Sequence, residues 1–427
     1  MNAERRSHGL WQASAPPGPR ASPLSGRTTA DAVIVGAGYT GCSAALHMAL
    51  AGAKPIVLEE VEIGFGGAGR NVGLVNAGLW IEPEAVPAEI GVERGERLLK
   101  QLGEAPQLVF DLISRHDIEC EAVRAGTLHC AADHRGAIDL AERAYQWRRR
   151  GVAVELIEGA EAARLTGSEA FASVLLDPRA GTIQPLAYVR GLARAAMSQG
   201  ARICAQSPVL ACEDLGGVWR ISTPGGSVEA PRVIVATDFY STGPWKALSA
   251  EQVPLPYFNL ATAPLAPQFL TRILPGRQGA WDTKSILSSF RLDRQGRLIF
   301  GSVGALRRGG FRVHAQWARR ELARLFPALG RVDFEHAWYG TIGMTDNALP
   351  RLHELGRNVV SISGYNGRGI APGTSFGRDL ARLTLGEIGI DSLALRRTSV
   401  RPASLRALKG AIYEAGAQLV HASGARF

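Results

Sequence analysis

Lysine is nearly absent from this chain. It has five (Lys54, Lys100, Lys246, Lys284 and Lys409), so 43 of its 48 basic residues are Arg. The arginines are spread along the whole sequence rather than gathered in one arm, which argues against a nucleic-acid partner. The net charge of +9 then reads as Arg-heavy background, with a general attraction for anionic substrates or cofactors. Cysteine is scarce too. Cys42, Cys120, Cys130, Cys204 and Cys212 are odd in number and have no CxxC spacing. That argues against a disulfide framework or structural zinc and fits a reducing compartment. No apolar run reaches the roughly 18–20 residues of a membrane-spanning helix. Pro16, Pro17, Pro19 and Pro23 occupy the place where a signal peptide needs its hydrophobic stretch. A cytoplasmic chain is expected, with association at an inner membrane as the alternative.

Glycine, by contrast, is abundant, at 50 of 427 residues. The length suggests two or three domains and a large core. Three glycine clusters stand out. The first follows the β-branched run Asp31-Ala-Val-Ile-Val35, which reads as a buried parallel strand. Gly36-Ala-Gly38-Tyr39-Thr40-Gly41 comes next, then an Ala- and Leu-rich helix, then a second strand, Pro55-Ile-Val-Leu58, ending at Glu59 and Glu60. Strand, glycine turn, helix, strand and acid together make a dinucleotide site. Gly36 permits the turn, Gly38 lets a pyrophosphate approach the backbone, and Gly41 lets helix and strand pack closely. Glu59 suits a ribose diol, and an acid there disfavours a 2′-phosphate.

The second cluster, Gly64-Phe-Gly66-Gly67-Ala68-Gly-Arg70-Asn71-Val-Gly73, is one that an NAD domain does not need. The third is Gly364-Tyr365-Asn-Gly367-Arg368-Gly369-Ile370, between the strand-like Val359–Ile362 and a helical stretch. With Gly181-Thr-Ile-Gln-Pro185 and the first motif, these segments resemble the D-amino-acid-oxidase superfamily of FAD-dependent oxidoreductases. The likeness is strongest to its amine and imino-acid oxidases, of sarcosine, pipecolate and gamma-glutamylputrescine type.

The resemblance implies an α/β fold. A discontinuous Rossmann-like FAD-binding domain would comprise residues 31–80, 151–240 and 335–395. A second α+β substrate domain, on a mainly antiparallel sheet, would take 81–150 and 241–334. Residues 1–30 read as an extended arm, and 396–427 as a C-terminal helical segment. FAD would lie along Gly36, Gly38, Tyr39, Thr40, Gly41, Glu59 and Glu60. It would continue past Gly66, Gly67, Ala68, Arg70 and Asn71. Val209 would contact adenine through its backbone, Ala236 and Thr237 would belong to the strand and turn that follow, and Gly367, Arg368, Gly369 and Ile370 would cap the pyrimidine end of the flavin. Some relatives attach flavin through a late Cys, but residues 336–346 contain none, so non-covalent FAD is expected.

The family's chemistry is oxidation of a C–N bond to an imine by hydride transfer to flavin N5. The implied substrate is a secondary or cyclic amino acid, such as L-pipecolate, or a gamma-glutamylputrescine-like amine. Oxygen or a respiratory acceptor would take the electrons; a non-catalytic flavin subunit is the alternative of another class. Arg291 is the first candidate for a carboxylate clamp, with a surface hairpin Arg as its alternative. Lys284 is the candidate for promoting reaction with oxygen, with solvated surface as its alternative. Tyr365 and Arg368 would line the pocket, and Trp281, Trp338 and Tyr339 would box an alkylamine or fill the core. Residues 404–420 place Leu405, Leu408, Ile412 and Leu419 on one helical face. That face is expected to dock on its own protein, or else to lie on an anionic membrane that holds a quinone acceptor.

Overall fold

The computed structural model describes residues 8–424. The first sheet has six strands in the order Arg351–Gly356, Val359–Ser363, Val233–Val235, Ala32–Val35, Pro55–Leu58, Arg202–Cys204. All neighbours run parallel except the edge pair Arg351–Gly356 and Val359–Ser363. The central strands are short β-branched runs buried on both faces, as a parallel sheet between two layers requires. Alternation sorts their side chains. Ile34 and Val57 join the core under the helices Tyr39–Leu50, Pro185–Ser198 and Ile370–Leu385. Val33, Val35, Ile56 and Leu58 face the other way, against a four-stranded sheet that includes Trp219–Thr223 and Gly226–Ala230.

The third main layer is an eight-stranded sheet, almost entirely antiparallel. Its order is Phe334–Met344, Val253–Pro264, Arg297–Val303, Ser288–Leu292, Gly279–Asp282, Thr127–Cys130, Ser173–Asp177, Glu155–Glu158. A hairpin around Asp293 joins Ser288–Leu292 to Arg297–Val303, and the helix Gly310–Leu325 covers the sheet through Ala315, Trp317, Ala318 and Leu322. The fold is therefore α/β plus a mainly antiparallel second layer.

The sheets divide the chain differently from the sequence boundaries. Glu155–Glu158 and Ser173–Asp177 fall in the 151–240 block assigned to the cofactor domain, yet they extend the eight-stranded sheet through Thr127–Cys130. Phe334–Met344, given to the block 335–395, pairs along Val253–Pro264 in that same sheet. Strand pairing between segments far apart in sequence decides both placements, and no local pattern encodes it.

Residues 8–30 are not a free arm. Leu10–Ser14 is helical, Gly26–Thr29 pairs with Gly226–Ala230, and Leu10, Trp11 and Leu24 are buried. The Trp11 indole donates to the Asn71 carbonyl (2.8 Å) and meets Trp338 edge-on at 5.3 Å. Only the proline-rich stretch between the helix and the strand is extended, because proline gives up the N–H that regular structure needs.

The C-terminal helix, Arg406–Ser423, does dock on its own protein, but through the opposite face from the one expected. Gly410, Ala417 and His421 are buried, while Leu405, Leu408, Ile412 and Leu419 are exposed. Small residues win because the helix lies close: a Cβ on Gly410 would come within 2.7 Å of Pro254 Cγ. His421 closes the contact by stacking on Trp317 at 3.8 Å.

If the N-terminal helix is core, Trp11→Ala should destabilise the protein by about 3–5 kcal/mol, the usual range for a buried aromatic. A guanidinium-chloride midpoint measured against wild type checks this, and an unchanged midpoint would restore the free-arm reading.

Candidate functional site

The first glycine turn is built by close approach. Gly36 has φ +99°, and a Cβ there would lie 2.9 Å from the Ala236 carbonyl oxygen. A Cβ on Gly41 would lie 1.9 Å from the Gly36 oxygen. The helix Tyr39–Leu50 then begins with no side-chain cap on its N-terminal N–H groups. Glu59, at the end of the next strand, accepts from the N–H of Ala37 (2.8 Å) and of Val61 (3.0 Å). Burial pushes its carboxyl up from the ordinary value, while these two bonds pull it down. The carboxylate keeps spare lone pairs for a ribose diol.

Buried hydroxyls tie the three glycine loops together. Tyr39 Oη donates to the Ala68 carbonyl (2.6 Å), and Asn71 Nδ2 donates to Tyr39 Oη (3.0 Å). Thr40 Oγ1 and Tyr365 Oη lie 2.7 Å apart, joining the first loop to the third. Asp238 Oδ1 accepts the Gly364 N–H at 2.7 Å, which anchors that third loop to the turn after Val233–Val235. The helix Ile370–Leu385 also starts without a side-chain cap. It packs tightly on Tyr39–Leu50: a Cβ on Gly377 would be 2.5 Å from the Thr40 carbonyl oxygen.

Two uncapped helix N-termini thus open on one cavity of about 680 Å³. Each carries a positive dipole end, and together they favour an anionic ligand. Arg70 is the one cationic side chain in the lining among the described residues. Its Nε and Nη2 are buried without a partner, and its guanidinium lies over the Phe65 ring at 4.5 Å. Among the described residues nothing bonds the main-chain N–H and C=O of Val209, which also lines the cavity. An elongated, doubly charged dinucleotide satisfies all of these groups: phosphates at the helix ends, ribose at Glu59, a base edge at Val209. FAD therefore fits the residues present.

The structure places around this cavity Gly36, Gly38, Tyr39, Thr40, Glu59, Glu60, Gly66, Gly67, Ala68, Arg70, Asn71, Val209, Ala236, Thr237, Gly367, Gly369 and Ile370, together with Tyr365. Gly41 lies behind the turn and acts through packing. Tyr365 spends its hydroxyl on Thr40 and on the Ile362 carbonyl, so it braces the loops.

Three candidates for substrate or catalytic work lie elsewhere. Arg291 shares a strand face with Ser289, but Gly73 and Ile183 cover that end of the strand. Its Nη1 donates to both of their carbonyls, and its guanidinium faces the Trp11 ring at 5.7 Å. Burial pushes it down to about 10, still protonated at neutral pH. Lys284 Nζ donates to Glu321 Oε1 at 2.6 Å and lies 3.9 Å from Asp282 Oδ2. Arg368 sits behind the cavity wall, 4.6 Å from the Trp80 ring and 5.5 Å from Trp281, and donates to the Ala77 carbonyl. Trp338 is core, its indole N–H held by the Arg70 carbonyl at 3.1 Å.

Sequence reasoning missed the far wall, where Trp80, Leu255, Tyr257 and Ser289 join Trp281. Trp80 follows the second glycine loop closely enough to have been suspected. Leu255 and Tyr257 carry no signal beyond strand alternation.

The DAO family, described as FAD dependent oxidoreductase, matches residues 31–383. The probable oxidoreductase OrdL of Haemophilus influenzae is 28% identical over 371 residues, covering 86% of this chain and 85% of that one. Gamma-glutamylputrescine oxidoreductase of Escherichia coli is 28% identical over 369 residues, 85% of each chain. Among solved structures, glycine oxidase from Geobacillus kaustophilus superposes with a TM-score of 0.68 at 20% identity, covering 87% of this chain and 99% of its own. L-proline dehydrogenase from P. horikoshii gives 0.69 at 16% identity, covering 87% and 96%.

Two outcomes test the site. A Cβ on Gly38 meets only Ala68 Cβ, at 3.9 Å, so Gly38→Ala should leave the apoprotein's melting temperature unchanged. It should nonetheless weaken FAD binding by roughly tenfold or more, because the methyl occupies ligand space. Equal FAD affinity would refute the cradle. Lys284→Met should leave reoxidation in air unchanged but alter acid stability. Burial pushes the Glu321 carboxyl up, but hydrogen bonds from Arg324 and Lys284 outweigh it and hold the group at about 2, below its ordinary 4.5. The pair's stabilisation is then full above about pH 4.5 and fades as pH falls toward 2. The variant's stability deficit should shrink across that window in pH-dependent denaturation.

Proposed function

The chain belongs to the DAO family of FAD-dependent oxidoreductases, and we propose that it oxidises the C–N bond of an amine recognised through an alkyl chain rather than an α-carboxylate. The far end of the cavity carries this reading. Trp80, Trp281, Tyr257, Leu255, Leu287 and Val303 line it with indole, phenol and aliphatic surface. No guanidinium or ammonium among them offers a fork for a carboxylate. Arg291 is already occupied by main-chain carbonyls, and Arg368 lies behind the two indoles.

Bound FAD supplies the acceptor for a hydride from the carbon next to nitrogen. The indoles exclude water and hold the alkyl chain, and the Arg368 guanidinium behind them favours the amine in its neutral form. The Arg143 guanidinium fixes Trp80 by donating to its carbonyl at 2.7 Å. Tyr257 Oη and Ser289 Oγ lie 2.7 Å apart and offer a lone pair to the amine N–H. Burial pushes the Tyr257 phenol up, so it stays protonated and is no base near neutral pH. Trp281 Nε1 is buried without a partner and is free to donate to an oxygen further along the substrate. A gamma-glutamylputrescine-like amine, with an amide carbonyl part-way along an alkyl chain, suits this wall. One curated relative carries that substrate in its name.

Anaerobic flavin bleaching with a substrate panel tests the reading. Gamma-glutamylputrescine and simple alkylamines should bleach the flavin, while pipecolate, proline, sarcosine and glycine should not. Fast bleaching by any of the amino acids alone would overturn it. With no carboxylate, imidazole or amine among the described residues of this wall, kcat/KM should rise with pH along a single ionisation. That ionisation should move with the pKa of the amine when a less basic substrate is used.

A further inference from the structure

The C-terminal helix Arg406–Ser423 lies beyond the matched family region, which ends at residue 383. One face is docked, through Gly410, Ala417 and His421. The opposite face presents Leu408, Ile412 and Leu419, with Leu405 just before the helix; all four are between 54% and 70% exposed. Between them the exposed residues include Ala407, Ala411, Ala415 and Ala422, with Tyr413 and Lys409 beside them. A row of bare Leu and Ile along a helix is not what solvation alone selects.

Charge in this segment is mostly positive. Residues 396–424 contain Arg396, Arg397, Arg401, Arg406 and Lys409, and a single acid, Glu414; of these Arg397 is already paired with Glu354 at 2.9 Å. Glu414 lies toward the docked side and is taken up by a bidentate pair with Arg307. Arg406 donates to the Gln252 carbonyl and Arg320 to the His421 carbonyl, so both ends of the helix carry guanidiniums with no carboxylate partner among the described residues. Lys409 is exposed at the edge of the apolar row. A second copy on this face would bring the same cations opposite one another, since a two-fold contact pairs a patch with itself. An anionic surface would neutralise them.

We propose that this helix is a docking element for an anionic lipid bilayer, lying in the plane of the interface with Leu405, Leu408, Ile412 and Leu419 in the acyl boundary and the arginines and Lys409 at the headgroups. It does not span: among the described residues no helix is long and apolar enough to cross a membrane. The docked face rests on Pro254, whose neighbour Leu255 lines the cavity. A bilayer under the helix therefore lies beside the wall of the substrate chamber. The proposal concerns location and does not depend on which amine is oxidised.

Flotation of the holoenzyme with vesicles tests it. Vesicles of phosphatidylglycerol and phosphatidylcholine should carry the protein, pure phosphatidylcholine should not, and raised salt should release it. Ile412→Glu combined with Leu419→Glu should abolish flotation while leaving the flavin spectrum and turnover in solution intact. Ile412→Ser with Leu419→Ser repeats the test without added charge and should weaken flotation. No binding to anionic vesicles, or binding indifferent to both double variants, would overturn the proposal. So would a concentration-dependent dimer in sedimentation velocity that either double variant disperses, because the face would then belong to a second copy.

Discussion

The close packing of two helices, Tyr39–Leu50 and Ile370–Leu385, governs the rest of the structure. Both begin at a glycine loop, and both leave their first N–H groups uncapped. Isolated, two such ends at close quarters repel. The approach is enforced by sterics and hydrogen bonds: Gly377 against the Thr40 carbonyl, Ser43 Oγ donating to the Thr374 carbonyl at 2.6 Å, and Thr40 Oγ1 bonded to Tyr365 Oη. An anion between them relieves the electrostatic cost. FAD held there would thus be a structural counter-charge as well as a reagent.

From that pair the second layer is positioned by the loop after Glu59. Asn71 and Arg70 contribute carbonyls that hold Trp11 and Trp338, and Asn259 Nδ2 also reaches the Arg70 carbonyl. The flavin-side loop therefore presents its side chains to the cavity and its backbone to the substrate sheet. This is why a helix near the start of the chain buries Leu10 and Trp11 in the core. It fills the seam where the two layers meet at that loop.

The sequence made the cofactor half legible because bare backbone leaves a local signature. A ligand that needs Gly36, Gly38 and the Gly64–Gly73 loop cannot accept other residues there, and each cluster can be read in a window of ten residues. The substrate half was opaque for the opposite reason. Its wall is assembled from Trp80, Leu255, Tyr257, Trp281 and Ser289, each unremarkable in its own strand or loop, and strand register alone brings them together. Arg291 shows the limit. Local sequence offered it as a carboxylate clamp or as a surface hairpin residue, yet it is buried, and the carbonyls of Gly73 and Ile183, remote in sequence, decide what it touches. The C-terminal helix was found by periodicity, but periodicity cannot say which face is docked. A glycine and an alanine made the closer contact and left the leucines outside.

The scarcity of lysine acquires a physical meaning at the buried cations. Arg70, Arg291 and Arg368 are all at least nine-tenths buried, and none has a carboxylate within ion-pair distance among the described residues. Each is instead held by carbonyls or aromatic faces, which a planar guanidinium accommodates and a compact ammonium does not. Burial, helped by the neighbouring guanidiniums of Arg143 and Arg179, pushes Arg368 down from 12.5 to about 9, and it remains charged at neutral pH. A lysine starts lower, near 10.4 in water, so comparable burial brings its ammonium closer to losing its proton. Arginine is therefore the residue type that keeps a positive charge in such a buried, carboxylate-free place.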